Sequence, residues 1–282
     1  MTQTHADWAV WASDDLSTDN TRSILEEFQI KWGANRLSIR SGPAKGWVAN
    51  FLSLACDTSI KADYFAFSDQ DDVWDEDKLA NSVLWLQSVP KNIPALYCSR
   101  TRLINEANIE IGLSPLFKKP LSFRNALVQS VAGGNTMVFN QAARLLLSEA
   151  GSDVDVQTHD WWAYIIISGC GGRVFYDTQT AVRYRQHNDN LVGSNTGLTS
   201  RLRRAHRLFI GRFWAMNNRN IQALKRIHHR LTPENRRILD QFTHARNTWL
   251  IPRVIGIKKT KVYHHTFLGN LGLIAATLLK KL

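Results

Sequence analysis

Short apolar runs that stop abruptly at clusters of acids set the pattern of the first third of this chain. Trp8-Ala9-Val10-Trp11-Ala12 gives way to Ser13-Asp14-Asp15-Leu16-Ser17-Thr18-Asp19-Asn20-Thr21. Tyr64-Phe65-Ala66-Phe67 gives way to Ser68-Asp69-Gln70-Asp71-Asp72. A brief, aromatic-rich run bounded by polar residues predicts a buried strand. After the first acidic cluster, Ile24, Leu25, Phe28 and Trp32 recur at helical spacing. The Ser, Thr, Asp and Asn before them are N-cap and turn formers. After the second cluster a helix is expected from near Asp75. Two strand–turn–helix units of this kind predict an α/β protein. In a parallel sheet both turns would lie at one edge, where such sheets bind ligands.

The second turn carries the stronger chemistry. Asp69, Asp71 and Asp72 lie within four residues, and carboxylates this close repel one another unless a cation sits among them. Hard oxygen ligands suit Mg²⁺ or Mn²⁺, shared with substrate phosphates. The alternative reading is a solvated acidic turn that caps the next helix.

Length and composition narrow the class. The 282 residues, 44% hydrophobic with ten Trp, suffice for one α/β domain plus an appendage. Cys56, Cys98 and Cys170 show no metal-ligand spacing, and an odd count argues against a disulfide framework. No charged segment followed by an apolar one opens the chain as a secretory signal would. These features predict a cytosolic protein.

Charge divides the chain in two. Residues 201–282 hold 18 Lys and Arg against Glu234 and Asp240, whereas the rest carries an excess of acids. The change falls at Gly193-Ser194-Asn195-Thr196-Gly197, so a catalytic region over 1–195 and a basic helical region over 196–282 are expected. The tail, from Arg201 to Phe209 and on through Ile221, Leu224 and Ile227, reads as helical, broken at Pro233 and Pro252. Thr266 to Leu279 is apolar but short for a bilayer span. Basic helices with apolar faces can lie on an anionic membrane surface; the alternative is a solvated face packed on the catalytic region. No nucleic-acid module accompanies the basic residues, so no nucleic-acid partner is expected.

Five segments, in order, then resemble the inverting, nucleotide-sugar-dependent family 2 glycosyltransferases, above all their bacterial rhamnosyltransferase-like branch. Asp14-Asp15-Leu16-Ser17-Thr18-Asp19 is similar to the family's Asp-Asp-Gly-Ser-x-Asp turn, and Asp69-Gln70-Asp71-Asp72 to its Asp-x-Asp metal motif. Gly133-Gly134-Asn135-Thr136-Met137-Val138-Phe139-Asn140 resembles the strand beside the acceptor pocket. His159-Asp160-Trp161-Trp162 resembles the segment of the catalytic base, and Tyr184-Arg185-Gln186-His187 a late motif near the diphosphate. The resemblance implies a GT-A fold, a Rossmann-like mixed sheet flanked by helices, with the basic helical region as a C-terminal extension. It also shows departures. Leu16 stands where the family has Gly. The family's opening strand, with its Thr-Tyr-Asn-like turn, has no counterpart. A start site placed too late is the favoured reading of that gap, over a truncated, inactive protein or a strand lent by another chain.

The resemblance also implies roles. Asp160 is the base, with Trp161 and Trp162 desolvating it and raising its pKa; the alternative is that His159-Asp160 caps the helix running through Ile165 to Ile167. Asp69 and Asp71 hold the metal, with His187 as a further ligand, and Asp72 supports them or caps a helix. Asp14 and Asp15 meet the nucleobase, while Lys45, Asp69 and Arg185 meet the ribose-diphosphate. Gly133, Gly134, Asn135 and Trp161 line the acceptor pocket. The implied partners are a UDP- or dTDP-sugar, Mg²⁺ or Mn²⁺, and a lipid-linked glycan acceptor at the inner face of the cell membrane. Two rivals stand beside this reading. One is an inactive remnant serving as an assembly partner in polysaccharide synthesis. The other is a metal-dependent enzyme on phosphate esters, for which no P-loop is present.

Overall fold

The computed structural model describes residues 3–186 and 212–282. Strand β1 (Val10–Asp14) pairs in parallel with β2 (Leu37–Ser41), and α1 (Thr21–Trp32) connects them. These two strands form a sheet of their own. The remaining described strands build a mixed six-stranded sheet: β3 (Tyr64–Ala66), β4 (Val73–Trp74), β5 (Ala95–Ile104), β6 (Glu110–Leu113), β7 (Val138–Asn140) and β8 (Arg173–Arg185). Its order is β3-β7-β5-β8-β4, with β6 also on β5.

This corrects two expectations. The two apolar runs do not share one parallel sheet, because β3 pairs antiparallel with β7. Nor is β3 fully buried: Tyr64 and Phe65 are half-buried and Ala66 is exposed, with only Phe67 fully inside. An edge strand has one side unpaired, and periodicity does not say which strands are neighbours. The helix α3 (Lys78–Gln87) also starts later than expected, since Val73 and Trp74 first pair with Arg183 and Val182 of β8.

The central strand β5 is buried at nearly every position, as a strand covered on both faces must be. Behind it lies α6 (His159–Gly169). Its sequence is apolar around the whole circumference, so it is buried on every side. Ile165, Ile166 and Ile167 are at most 1% exposed, and each contributes about 1.5–3 kcal/mol by leaving water. Helices α2 (Trp47–Ala55), α4 (Phe123–Ala126) and α5 (Gln141–Ala150) pack around it. In contrast, α1 buries none of its residues.

The C-terminal region is helical: α7 (Arg212–Leu224), a 3₁₀ stretch (Lys225–Arg230), α8 (Pro233–Asn247), α9 (Leu250–Thr260) and α10 (Phe267–Leu278). Pro233 opens α8, where its missing N–H costs nothing, and Thr232 caps the same end. Ile221, Leu224 and Ile227 are buried in one cluster with α6 and β5. Arg201 to Phe209 and the Gly193–Gly197 stretch lie outside the described residues.

Candidate active site

The end of β8 runs beside the acidic turn and fixes it. Arg185 donates its backbone N–H to Asp72 Oδ1 at 3.0 Å. Its guanidinium donates to the carbonyls of Asp71 at 2.9 Å and Glu106 at 3.0 Å. Asn135 Nδ2 donates to the second Asp72 oxygen. Asp72 therefore accepts bonds on both oxygens, and it caps no helix.

The neighbouring residue of Asn135 reaches the other carboxylate. Gly134 N–H donates to Asp160 Oδ2 at 3.1 Å, while Trp161 N–H meets Asp160 Oδ1 at 2.6 Å. The cap of α6 is Thr158, whose side chain accepts from Trp161 N–H. Asp160 sits one residue inside, where the helix dipole favours a negative charge. The backbone turn Gly134–Thr136 thus joins Asp72 to Asp160 through two consecutive residues.

Four carboxylates converge here. Burial first, then Asp72, Asp71 and Asp160, push the Asp69 carboxyl up to about 7. Tyr184 is raised to about 12 by burial and by the same four acids. The counter-charge comes from Lys78, which is fully buried at the start of α3. Its ammonium donates to the Asn135 carbonyl at 2.7 Å and sits over the Trp74 ring. Burial lowers its pKa well below the usual lysine range, and Asp72 and Asp69 oppose that fall. Sequence reasoning missed Lys78. A lone Lys six residues after an acidic turn reads as a solvent-facing helix residue, and only the fold shows it beneath the carboxylates.

His159 is the second buried surprise. Its ring stacks on Phe51 at 4.0 Å between centroids and meets Phe67 at 4.6 Å and Trp47 at 5.5 Å. Neither ring nitrogen has a hydrogen-bond partner, and burial lowers its pKa to about 4. A side chain on Gly134 would collide with this imidazole, so glycine there allows α6 and the Gly134 turn to touch. Gly133 precedes that turn in extended backbone. Trp161 and Trp162 both point into the core, 5% and 0% exposed, and Trp161 Nε1 donates to the Ala126 carbonyl at 2.7 Å.

The first acidic cluster belongs to the end of β1, in the separate two-stranded sheet. Asp15 accepts the N–H groups of Ala44 at 2.6 Å and Gly46 at 2.8 Å, so it shapes the loop that carries exposed Lys45. A side chain on Gly42 would lie 2.6 Å from Asp15 Oδ1. The Ser17 side chain and then its backbone N–H, 3.0 Å from Asp14 Oδ1, hold the Asp14 carboxyl below the usual range. Leu16 has φ +69° and is 71% exposed. The family's glycine would adopt that left-handed backbone without strain. His187 lies outside the described residues.

Among the described residues no three His, Cys, Asp or Glu side chains are arranged to hold a metal by themselves. Mg²⁺ and Mn²⁺ need no such cage, since one or two carboxylates plus substrate phosphates and water complete their shell. Asp69 and Asp71 fit that demand: they are hard oxygen donors in a place with an excess of negative charge that Lys78 only partly offsets.

Residues 1–144, half of the chain, match glycosyl transferase family 2. The chain belongs to this family. The glycosyltransferase is 29% identical over 216 residues to the dTDP-rhamnosyl transferase RfbG of Shigella flexneri, covering 72% of this chain and 71% of that one. It also resembles S. aureus TarS (1–349) at 13% identity and a TM-score of 0.50, over 92% of this chain and 82% of that one. Its mixed sheet flanked by helices is a GT-A fold.

Proposed function

We propose that this glycosyltransferase moves a deoxyhexose such as rhamnose from a UDP- or dTDP-sugar, with inversion, to a lipid-linked glycan acceptor during surface polysaccharide synthesis. Residues 1–195 carry the chemistry. Residues 196–282 hold the enzyme at the inner face of the cell membrane. The name and extent of the Shigella relative favour dTDP-rhamnose as donor.

The proposed roles join the family resemblance to the bonds seen at the site. Asp160 takes the proton of the attacking acceptor hydroxyl by general-base catalysis, a contribution of about 10²–10⁴-fold. Its geometry is fixed by Gly134 N–H and Trp161 N–H, so the carboxylate needs no reorganisation when the hydroxyl arrives. Asp69 and Asp71 would hold Mg²⁺ or Mn²⁺, which supplies Lewis-acid stabilisation of the departing diphosphate. Asp72 and Arg185 lock the backbone of the acidic turn from below. Asp14, Asp15 and Lys45 take the nucleobase and diphosphate together with Arg185, and His187, outside the described residues, is the further metal ligand. Gly133, Gly134 and Asn135 border the acceptor.

The observation that carries this reading is the tie from Asp160 through Gly134 and Asn135 to Asp72. It supports the reading because it holds Asp160 in one site with the acidic turn proposed to meet the diphosphate. Calorimetric titration of UDP and dTDP, with and without Mn²⁺, tests it. Metal-dependent binding of one nucleotide is expected. A well-folded protein that binds neither would overturn the reading.

A further inference from the structure

The C-terminal helices invert the usual arrangement of charge and apolar surface. Leu250, Ile251, Val254 and Ile255 are exposed along one stripe of α9, and its N-cap residue Trp249 is 67% exposed beside them. On α10, Phe267, Leu268, Leu271, Ile274 and Leu278 form a second exposed stripe, with Phe267 76% exposed. On α10, Phe267, Leu271, Ile274 and Leu278 recur at i, i+4, i+7 and i+11, and on α9 Leu250 with Val254 and Ile251 with Ile255 stand at i, i+4, so each set shares a helix face. Inside lie the arginines. Arg253, 5% exposed, donates to the carbonyls of Thr248 at 2.9 Å and Thr277 at 3.0 Å. Arg246 Nε donates to the Leu282 carbonyl at 2.7 Å. The cations thus hold the helix ends together while the apolar faces point outward.

We propose that these two stripes insert into the headgroup–acyl boundary of an anionic bilayer, with Lys258, Lys259, Lys261 and Lys280 at the phosphate level. Exposed apolar area of this extent marks an interaction surface, and the cations at the ends of both stripes fix the partner's sign. No acid follows Asp240, whereas seven Lys and Arg do. Two copies meeting through this face would bring those cations together, so charge favours anionic lipid over self-association. No described helix is long and apolar enough to cross a membrane, so the helices would lie in the interface plane. The proposal deepens the membrane placement given above and specifies the means: apolar insertion by α9 and α10.

The surface is coupled to the acceptor side. The α9–α10 connection binds the segment before Gly133. Lys119 donates to the His264 carbonyl at 2.8 Å, Asn125 Nδ2 to the Tyr263 carbonyl at 3.0 Å, and His265 N–H to Gln129 Oε1 at 2.9 Å. Seating the helices in lipid therefore sets the height of the Gly133–Asp160 turn above the bilayer.

Cosedimentation of the full chain with phosphatidylglycerol–phosphatidylethanolamine vesicles tests the proposal. The double variant Phe267→Ser/Leu271→Ser, at exposed positions that leave the core intact, should bind at least about tenfold more weakly. Its melting temperature and nucleotide titration should match the parent. Brominated lipid should quench a fluorescence component that disappears in Trp249→Phe. Unchanged vesicle binding by the double variant would overturn the proposal. So would wild-type binding that high salt abolishes completely, or a dimer by light scattering that the double variant dissolves without any lipid binding. Lipid binding that persists while UDP and dTDP both fail to bind would instead remove the donor assignment and leave this surface standing.

Discussion

Lys78 and Arg253 are both buried cations, but they do opposite work. Lys78 lies under a cluster of acids, donates to the Asn135 carbonyl, and offsets part of the repulsion among Asp69, Asp71, Asp72 and Asp160. Arg253 is buried and meets only carbonyl oxygens, of Thr248 between α8 and α9 and of Thr277 and Leu278 at the end of α10. In the first region, burial concentrates charge around the acidic turn. In the second, it removes charge from the surface and leaves the outer face apolar. A buried charge is tolerated only with partners, and the identity of the partners tells the two regions apart. Carboxylates beside the ammonium mark a cluster of compensating charges. Carbonyls around the guanidinium mark a structural tie whose outside is free for another contact.

The largest expected effect separates chemistry from surface. Asp160→Asn should lower transfer by about 10²–10⁴-fold while nucleotide affinity and vesicle binding stay near the parent's. Loss of donor binding instead would take Asp160 out of the base role. Next, Lys78→Met leaves the acids uncompensated and should cost about 3–5 kcal/mol of stability, read by denaturant unfolding. Added Mn²⁺ should recover part of that loss, which a merely structural lysine would not show.

Two smaller effects sharpen the contrast. Arg253→Met strands carbonyls at two helix ends and should cost about 1–3 kcal/mol. Nucleotide binding should persist and vesicle binding should weaken; a loss of nucleotide affinity would mean that the two regions are not separable. His159 is neutral in the folded chain because burial lowers its pKa to about 4 from 6.5. The unfolded chain binds the proton first, so the contribution of His159 is full above 6.5 and falls as pH drops toward 4, against the opposite slope of Asp69, whose folded pKa is raised to about 7. By linkage the loss approaches about 3 kcal/mol. His159→Leu should flatten that slope in urea titrations across the window, and an unchanged slope would refute the cause.

The strand–turn–helix units and the acidic clusters were legible because they depend on local pattern. The apolar run of α6, buried all round, was equally plain from Trp161 to Ile167. The partition of the strands was not. β1 and β3 read alike, yet one pairs with β2 and the other with β7, since pairing is decided by distant segments. The caps also went elsewhere. Thr158 caps α6, which freed Asp160 for Gly134, and a run of Thr-His-Asp gives no reason to choose one over the next.

By itself, then, the sequence determined the family, the order of the five motifs and the charge imbalance between the two parts, because residue type and spacing are written in the chain. Tertiary structure alone decided that Lys78 is buried beneath the acids, that His159 fills a cage of aromatic rings, and that α9 and α10 turn their apolar faces outward. Burial and partnership belong to segments far apart in the chain, and no local pattern specifies which of them will meet.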